Sequence, residues 1–371
     1  MADVAAVPVA RKGFLRKHLG KLLASALITI GIVTMLKRGG LVFLPRAESF
    51  RYVRWWSIPL YIAILAVMSY FRAVRWRFLL RSFADIPRRR LLTVSLVGFA
   101  AILLMPFRIG EVVRPYMIRE KGKISLTTAT GTVVAERVVD GLYLSIVLAL
   151  ALVLVPTLHP LPQHVVGLPG ISVGDVRHAG FVMLGVFIVA FSVIAIFYFA
   201  RAWAERLTHA VIGPVSKALA TKLAGLASKL ADGLHFLGRP RDAFPFLVET
   251  TLYWGLNAVG MWVLAWGCGV IHADGSAIGL GETFAMMGML GVTILIPGPP
   301  GMLGVFQAGI WAGMTMYFPA EVIAVQGAAY VFLLYVIQVL WTMLAGGVVL
   351  LADRGALRQL EEAEGIVAAE V

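Results

Sequence analysis

Six stretches of the chain run apolar for close to the length a bilayer demands: about residues 19–36, 56–71, 138–158, 179–200, 243–271 and 322–352. A spanning helix needs roughly 20 such residues. In hydrocarbon every backbone N–H and C=O must be satisfied within a helix or a closed barrel. These runs are continuous rather than alternating, so they predict helices. Composition agrees: 60% of the residues are hydrophobic and 14% charged, with mean hydropathy +0.86. A soluble domain is about half apolar and about a quarter charged. The fold class is therefore an all-α polytopic membrane protein, with very little chain left for a soluble domain.

The formal charge is +13. Its cations sit beside apolar segments, which fits the positive-inside bias and anionic lipid headgroups and excludes nucleic acid as a partner. A single cysteine, Cys268, rules out an intrachain disulfide or a cysteine metal cluster. Arg11, Lys12, Arg16, Lys17 and Lys21 precede apolar Leu22–Leu36 with no clean cleavage site, which predicts a retained signal anchor.

Cations cluster at 11–21, 72–90, 108–123 and 201–241, whereas 159–178 and 272–282 hold almost none. If every apolar stretch crossed, 72–90 and 108–123 would face opposite sides, against the charge bias. Two further apolar stretches, about 91–107 and 283–297, each end in a Pro/Gly break. If both turn back, at Pro106–Gly110 and near Pro297–Gly304, the basic segments share the cytoplasm and six crossings remain, both termini inside. The alternative is a plain loop between ordinary spans. Hairpins entering from opposite faces, each with three crossings, form an inverted repeat, which transporters use to build a site near the midplane. MPFRIGEVV and PPGMLGVFQ share Pro-x-x-x-Gly, as Pro106/Gly110 and Pro300/Gly304. One segment runs against the charge rule: Lys37, Arg38, Arg46, Arg51 and Arg54 fall outside, with Tyr52, Trp55 and Trp56, and read as an interfacial segment. The domains are a cytoplasmic segment 1–18, one transmembrane domain 19–352 with an interfacial amphipathic helix at 205–237, and a cytoplasmic tail 353–371.

Broken helices persist in lipid where protein covers them or a wet cavity receives them. Half-helix N-termini suit a phosphate or carboxylate. Pro106, Gly110, Pro297 and Pro299 are the structural breaks, and Pro300, Gly301, Gly304 and Gln307 the candidate contacts at the second. Arg108, Glu111 and Arg114 are spaced by three and share a helical face, net cationic and suited to an anionic headgroup. Glu136, Arg137 and Asp140 are placed where a spanning helix begins. A charge at a helix centre costs about 2.5–3.5 kcal/mol, so these three pair internally, face a wet cavity or sit near the interface. A structural ion-pair network and a headgroup site both satisfy that demand. Glu249, Tyr253 and Asn257, the chain's one asparagine, make a stripe spaced by four. No metal-binding histidine spacing, nucleotide-binding loop or nucleophile motif occurs, so no catalytic residue, metal or cofactor is expected.

Four motifs in order carry a resemblance: R-x-x-R-W at Arg72–Trp76, P-x-R-x-G-E at Pro106–Glu111, E-R-x-x-D at Glu136–Asp140 and P-P-G-x-L-G-V-F at Pro299–Phe306. Over about 20–350 the chain resembles the lysylphosphatidylglycerol synthase transmembrane, or flippase-like, family. The resemblance implies lipid translocation or assistance to an envelope-lipid pathway. It carries over Arg108, Glu111, Glu136, Arg137, Asp140 and the second break. Family members often have glutamate where this chain has Gln307. In full-length synthases a soluble aminoacyl-transfer domain follows. The chain stops soon after its last span, so that activity is not expected.

The expected function is translocation of a lipid with an anionic or zwitterionic headgroup (phospholipid, aminoacylated phospholipid or glycolipid intermediate) across the cytoplasmic, or inner, membrane. The alternatives are a membrane-embedded headgroup transferase and an accessory scaffold. Expected partners are membrane phospholipid or glycolipid, with a lipid-modifying enzyme or a second copy of the chain also compatible.

Overall fold

The computed structural model describes residues 44–104, 110–119, 123–232, 238–295 and 300–353, with residues 34, 355, 356 and 359 besides. The expected first crossing, the segment 1–18, most of the tail, Pro106, Arg108, Pro297 and Pro299 lie outside the described residues.

The helices are, in order, α1 (Ser57–Leu80), α2 (Arg88–Leu104), α3 (Val113–Ile118), α4 (Leu126–Leu154), α5 (Val173–Phe199), α6 (Arg201–Ile212), α7 (Lys217–Asp232), α8 (Pro240–Gly267), α9 (Leu280–Ile294), α10 (Val305–Thr315) and α11 (Ala320–Ala352). A short β-hairpin, His164–Val165 with Leu168–Ser172, sits in the loop before α5. Of the helices, α1, α4, α5 and α11 are long and apolar enough to cross a membrane. Their outer faces are bare hydrocarbon: Val182, Val186, Val189 and Val193 on α5 and Leu340, Leu344 and Val348 on α11 are exposed. A soluble helix would turn polar residues outward there. The chain is a multi-pass membrane protein. α8 has the length, with 28 residues, but Asn257, threonines and tryptophans lower its hydropathy.

Two boundaries differ from expectation. The second crossing does not stop near residue 71 but runs on to Leu80, which carries Arg72 and Arg75 inside the fold instead of into a basic loop. α4 begins at Leu126, not near 138, capped by Ser125 Oγ, which accepts the Thr128 amide at 3.0 Å. Glu136 and Asp140 therefore lie about 15 and 21 Å along the helix, well inside it. Hydropathy missed both extensions because it scores charge as exposed, whereas these charges are paired. The segment 205–237 contains most of α6 and α7, joined end to end in sequence; Ala204, Ala220, Ala224 and Ala231 face the body.

Small residues set the packing. α1 and α8 lie antiparallel, Gly260 against Tyr61 and Gly267 against Ser57. Gly346 of α11 meets Leu96 and Ala100 of α2, while Gly288 and Gly291 of α9 meet Leu148 and Leu144 of α4. Exchanging α1 with α8, α2 with α9 and α4 with α11 maps each pair onto one that also packs. Since α1 and α8 run in opposite directions, the repeat is inverted.

Each half contains a helical hairpin. In the first, α3 returns along α2, with Gly110 against Ala101 and Gly98 against Arg114. In the second, α10 returns along α9, with Gly309 against Leu290 and Gly313 against Met286. The first opens at the basic end of the molecule, where Arg90 reaches the Arg119 carbonyl and Arg81 meets Asp242 at 3.1 Å. The second opens at the other end, where the Leu158 amide donates to the Met316 carbonyl and the Arg54 amide to Gly267. There Arg54 lies 4.0 Å over the Trp266 ring, which accounts for that cation on the less basic side.

Candidate functional site

The residues flanking the two breaks line one cavity of about 410 Å³, among them Ile102 and Leu103 from the first hairpin and Leu295, Gly301 and Met302 from the second. Gly301 has φ 69° and lies beside the Tyr335 hydroxyl, and Gly304 has φ 89°. Both values are costly for residues with a Cβ. The Gly304 amide, at the start of α10, donates to Gln307 Oε1 at 2.6 Å. Gln307 therefore caps a half-helix and is buried; it is not in the cavity lining. Pro300 opens the short 3-10 turn that ends at Met302.

Behind the cavity wall lies an ion-pair network centred on Arg75, which is fully buried. Its guanidinium donates to both Asp140 oxygens at 2.6 Å, to Glu136 Oε1 at 2.9 Å and to Thr250 at 3.0 Å. Arg114, also fully buried, donates to Glu136 Oε2 at 3.1 Å and stacks 4.4 Å over Trp76. Trp254 Nε1 donates to Asp140 Oδ1 at 3.1 Å. Both carboxylates are thus compensated, as buried charges must be. The network joins α1, α3, α4 and α8, so it holds the first hairpin against the bundle.

Two further guanidiniums face the cavity. Arg72 stacks 3.9 Å from the Phe99 ring and has no carboxylate within 4.0 Å among the described residues. Arg137 approaches Asp140 only to 3.8 Å. Arg72 Nε and Arg137 Nε and Nη2 are buried without a hydrogen-bond partner among the described residues. Such donors are costly unless an acceptor arrives. The cavity surface is otherwise largely apolar, with Asn257, Gln338 and Thr342 as neutral polar groups.

Of the residues singled out in the sequence, Arg137, Asp140, Tyr253, Asn257 and Gly301 line this cavity. Glu136 and Arg114 lie behind it, and Glu111 is close enough to act on Arg137. Glu249 pairs with Arg77 away from the lining. Gly110 packs on the Ala101 and Ile102 backbone. Sequence reasoning left out Arg72, Arg75, Thr250 and Trp254. The signal was the R-x-x-R-W run, which reads as a basic loop when hydropathy ends the helix at 71.

The family described as lysylphosphatidylglycerol synthase TM region matches residues 21–347. The glycosyltransferase AglD of Haloferax volcanii is 26% identical over 280 residues, 72% of this chain and 44% of AglD. The chain thus spans less than half the length of that relative. No solved structure matches the chain. A helical membrane fold with one cavity lined from both halves accords with that match, which runs across nearly the whole sequence: the chain belongs to the lysylphosphatidylglycerol synthase TM-region family.

Proposed function

We propose that the protein moves a lipid with a charged headgroup between the leaflets of the cytoplasmic membrane, with its basic end in the cytoplasm. The two hairpins re-enter from opposite faces and replace hydrocarbon by a polar slot. The observation that carries this reading is the cavity lined by residues flanking both breaks, where Arg72 and Arg137 supply two guanidiniums to an otherwise largely apolar lining. A headgroup phosphate pairs with these two guanidiniums while the acyl chains stay in lipid. Guanidiniums are suited to this because their planar fork matches phosphate oxygens.

The test is leaflet exchange of labelled phospholipid in liposomes holding the purified protein. A hydrogen bond to a charged group contributes about 1.5–3 kcal/mol, so Arg72→Ala with Arg137→Ala is expected to slow exchange by roughly a hundredfold or more. Exchange at the unmodified rate removes this site from the mechanism. The name of AglD favours a second reading, in which the membrane region presents a lipid to a headgroup-modifying enzyme. In that case exchange is absent, and new product forms only when that enzyme and its donor are added.

A further inference from the structure

The helices α6 and α7 leave a row of large apolar side chains uncovered: Trp203, Leu207, Val211, Leu219, Leu223 and Leu226 are all exposed. A soluble surface rarely gathers so many in one place. The two helices pair antiparallel, the start of α6 beside the end of α7: Arg201 Nη2 donates to the Ser228 carbonyl at 3.1 Å, and Ser228 Oγ to Glu205 Oε1 at 3.2 Å. Successive residues are about 100° apart round a helix, which divides each helix into three sectors in the same order. The inward sector holds Ala204 in α6 and Ala220 and Ala224 in α7, all buried. The apolar row comes next to it. The third sector is exposed and holds Arg206 and His209 in α6 and Lys222 in α7. Paired antiparallel through matching sectors, the helices turn both apolar rows to one side and both basic sectors to another.

The position of this hairpin matches the edge of a bilayer. α5 is 27 residues long, about 40 Å, more than the roughly 30 Å hydrocarbon core. The helix is broken at Ala200, which has non-helical backbone angles, and α6 begins at once. Ile196 and Phe199, just before that break, are exposed like the rest of the lipid-facing surface of α5, so the apolar row continues that surface. Charge completes the match. Residues 201–231 hold Arg201, Arg206, Lys217, Lys222 and Lys229 against a single acid, Glu205, which is turned toward Ser228. An apolar flank bordered by cations is the pattern of a helix lying on an anionic leaflet.

We infer that the α6–α7 hairpin docks on the cytoplasmic leaflet and recognises anionic phospholipid there, its apolar row among the acyl chains and Arg206, Lys217 and Lys222 at the phosphates. The docked hairpin acts on the bundle through α4, against which α7 packs. Ala224 and Ala231 share a buried cluster with Ala129 and Val133 of α4, about one turn before Glu136 and Arg137. Leaflet charge thereby braces the helix that carries Glu136 and Asp140. The inference takes its sidedness from the translocation reading and does not need transport.

Fluorescence quenching in nanodiscs tests this on the full chain. In a Cys268→Ser background, an environment-sensitive dye is attached at Leu207→Cys or Leu223→Cys on the apolar row, and at His209→Cys or Ala218→Cys on the exposed polar side. The discs hold phosphatidylcholine alone or mixed with phosphatidylglycerol, and carry a quencher on the acyl chains. The first pair of dyes is expected to be quenched and the second pair not, with stronger quenching in the phosphatidylglycerol discs. Combining Arg206→Gln, Lys217→Gln and Lys222→Gln should remove the phosphatidylglycerol gain, docking weakening about fivefold for each cation lost. The brace predicts a higher melting temperature in phosphatidylglycerol discs, a gain that the same triple variant loses. Absence of quenching at Leu207→Cys and Leu223→Cys overturns the inference and leaves the row to a partner protein or a second copy. Equal quenching in the two lipids defeats the anionic recognition, and equal melting defeats the brace. The two proposals fail separately: docking without leaflet exchange defeats translocation alone, and exchange without docking defeats this inference alone.

Discussion

Arg75→Ala is expected to cost about 3–5 kcal/mol of stability, the usual penalty for stripping one partner from a buried ion pair. Four of its contacts vanish together, and Asp140 is left with Trp254 and a distant Arg137. The loss comes mainly from an uncompensated carboxylate, not from lost packing. Adding Asp140→Asn to Arg75→Ala is therefore expected to recover part of it, because an amide costs far less to bury than a charge. Thermal unfolding of the purified protein in detergent measures both. If the double variant is no more stable than the single, the penalty is steric and the electrostatic account of the network fails.

Gly110→Val acts on the first hairpin by a different route. A Cβ at Gly110 would lie 2.3 Å from the Ala101 carbonyl carbon and 2.4 Å from Ile102 N. These are backbone atoms, so no rotamer change relieves the clash and α2 must separate from the returning chain. Overpacking of this kind costs about 1–3 kcal/mol, and a β-branched side chain here belongs at the upper end. Because Ile102 and Leu103 line the cavity, the same displacement reshapes the site, and exchange should fall together with stability. Gly347→Ala is the matched control: nothing lies within 4 Å of its added methyl, and alanine in a helix is expected to be neutral or to stabilise by about 0.5–1 kcal/mol. Equal melting temperatures for Gly110→Val and the unmodified protein would mean that the hairpin is not closely packed there.

Much of this architecture is legible in the sequence because membranes simplify the code. Long apolar runs give the helices, and the placement of Lys and Arg argues for hairpins at both Pro/Gly breaks. The repeated Pro-x-x-x-Gly hints at the internal repeat, which the helix pairings display. What hydropathy cannot see is a charge that the fold neutralises. Arg75 reads as the start of a loop, yet it is the centre of the buried network, because its partners lie 61, 65 and 175 positions away. The same blindness places Glu136 at a helix start when ten helical residues precede it. Glu249 is recognised as polar on an apolar helix, but no local spacing links it to Arg77 on α1. Gln307 sits next to a recognised motif, and only backbone geometry assigns it to capping.

Sidedness of the hairpin bases tests the central claim most directly. In a Cys268→Ser background, single cysteines at Asp85, Lys123, Ser276 and Glu321 bracket the two hairpins, and all four positions are exposed. Labelling with a membrane-impermeant thiol reagent should modify Asp85→Cys and Lys123→Cys from the cytoplasmic side alone, and Ser276→Cys and Glu321→Cys from the opposite side alone. Labelling of Asp85→Cys and Lys123→Cys from opposite sides, or a split between Ser276→Cys and Glu321→Cys, would turn that hairpin into a full crossing and contradict a cavity built from two re-entrant tips.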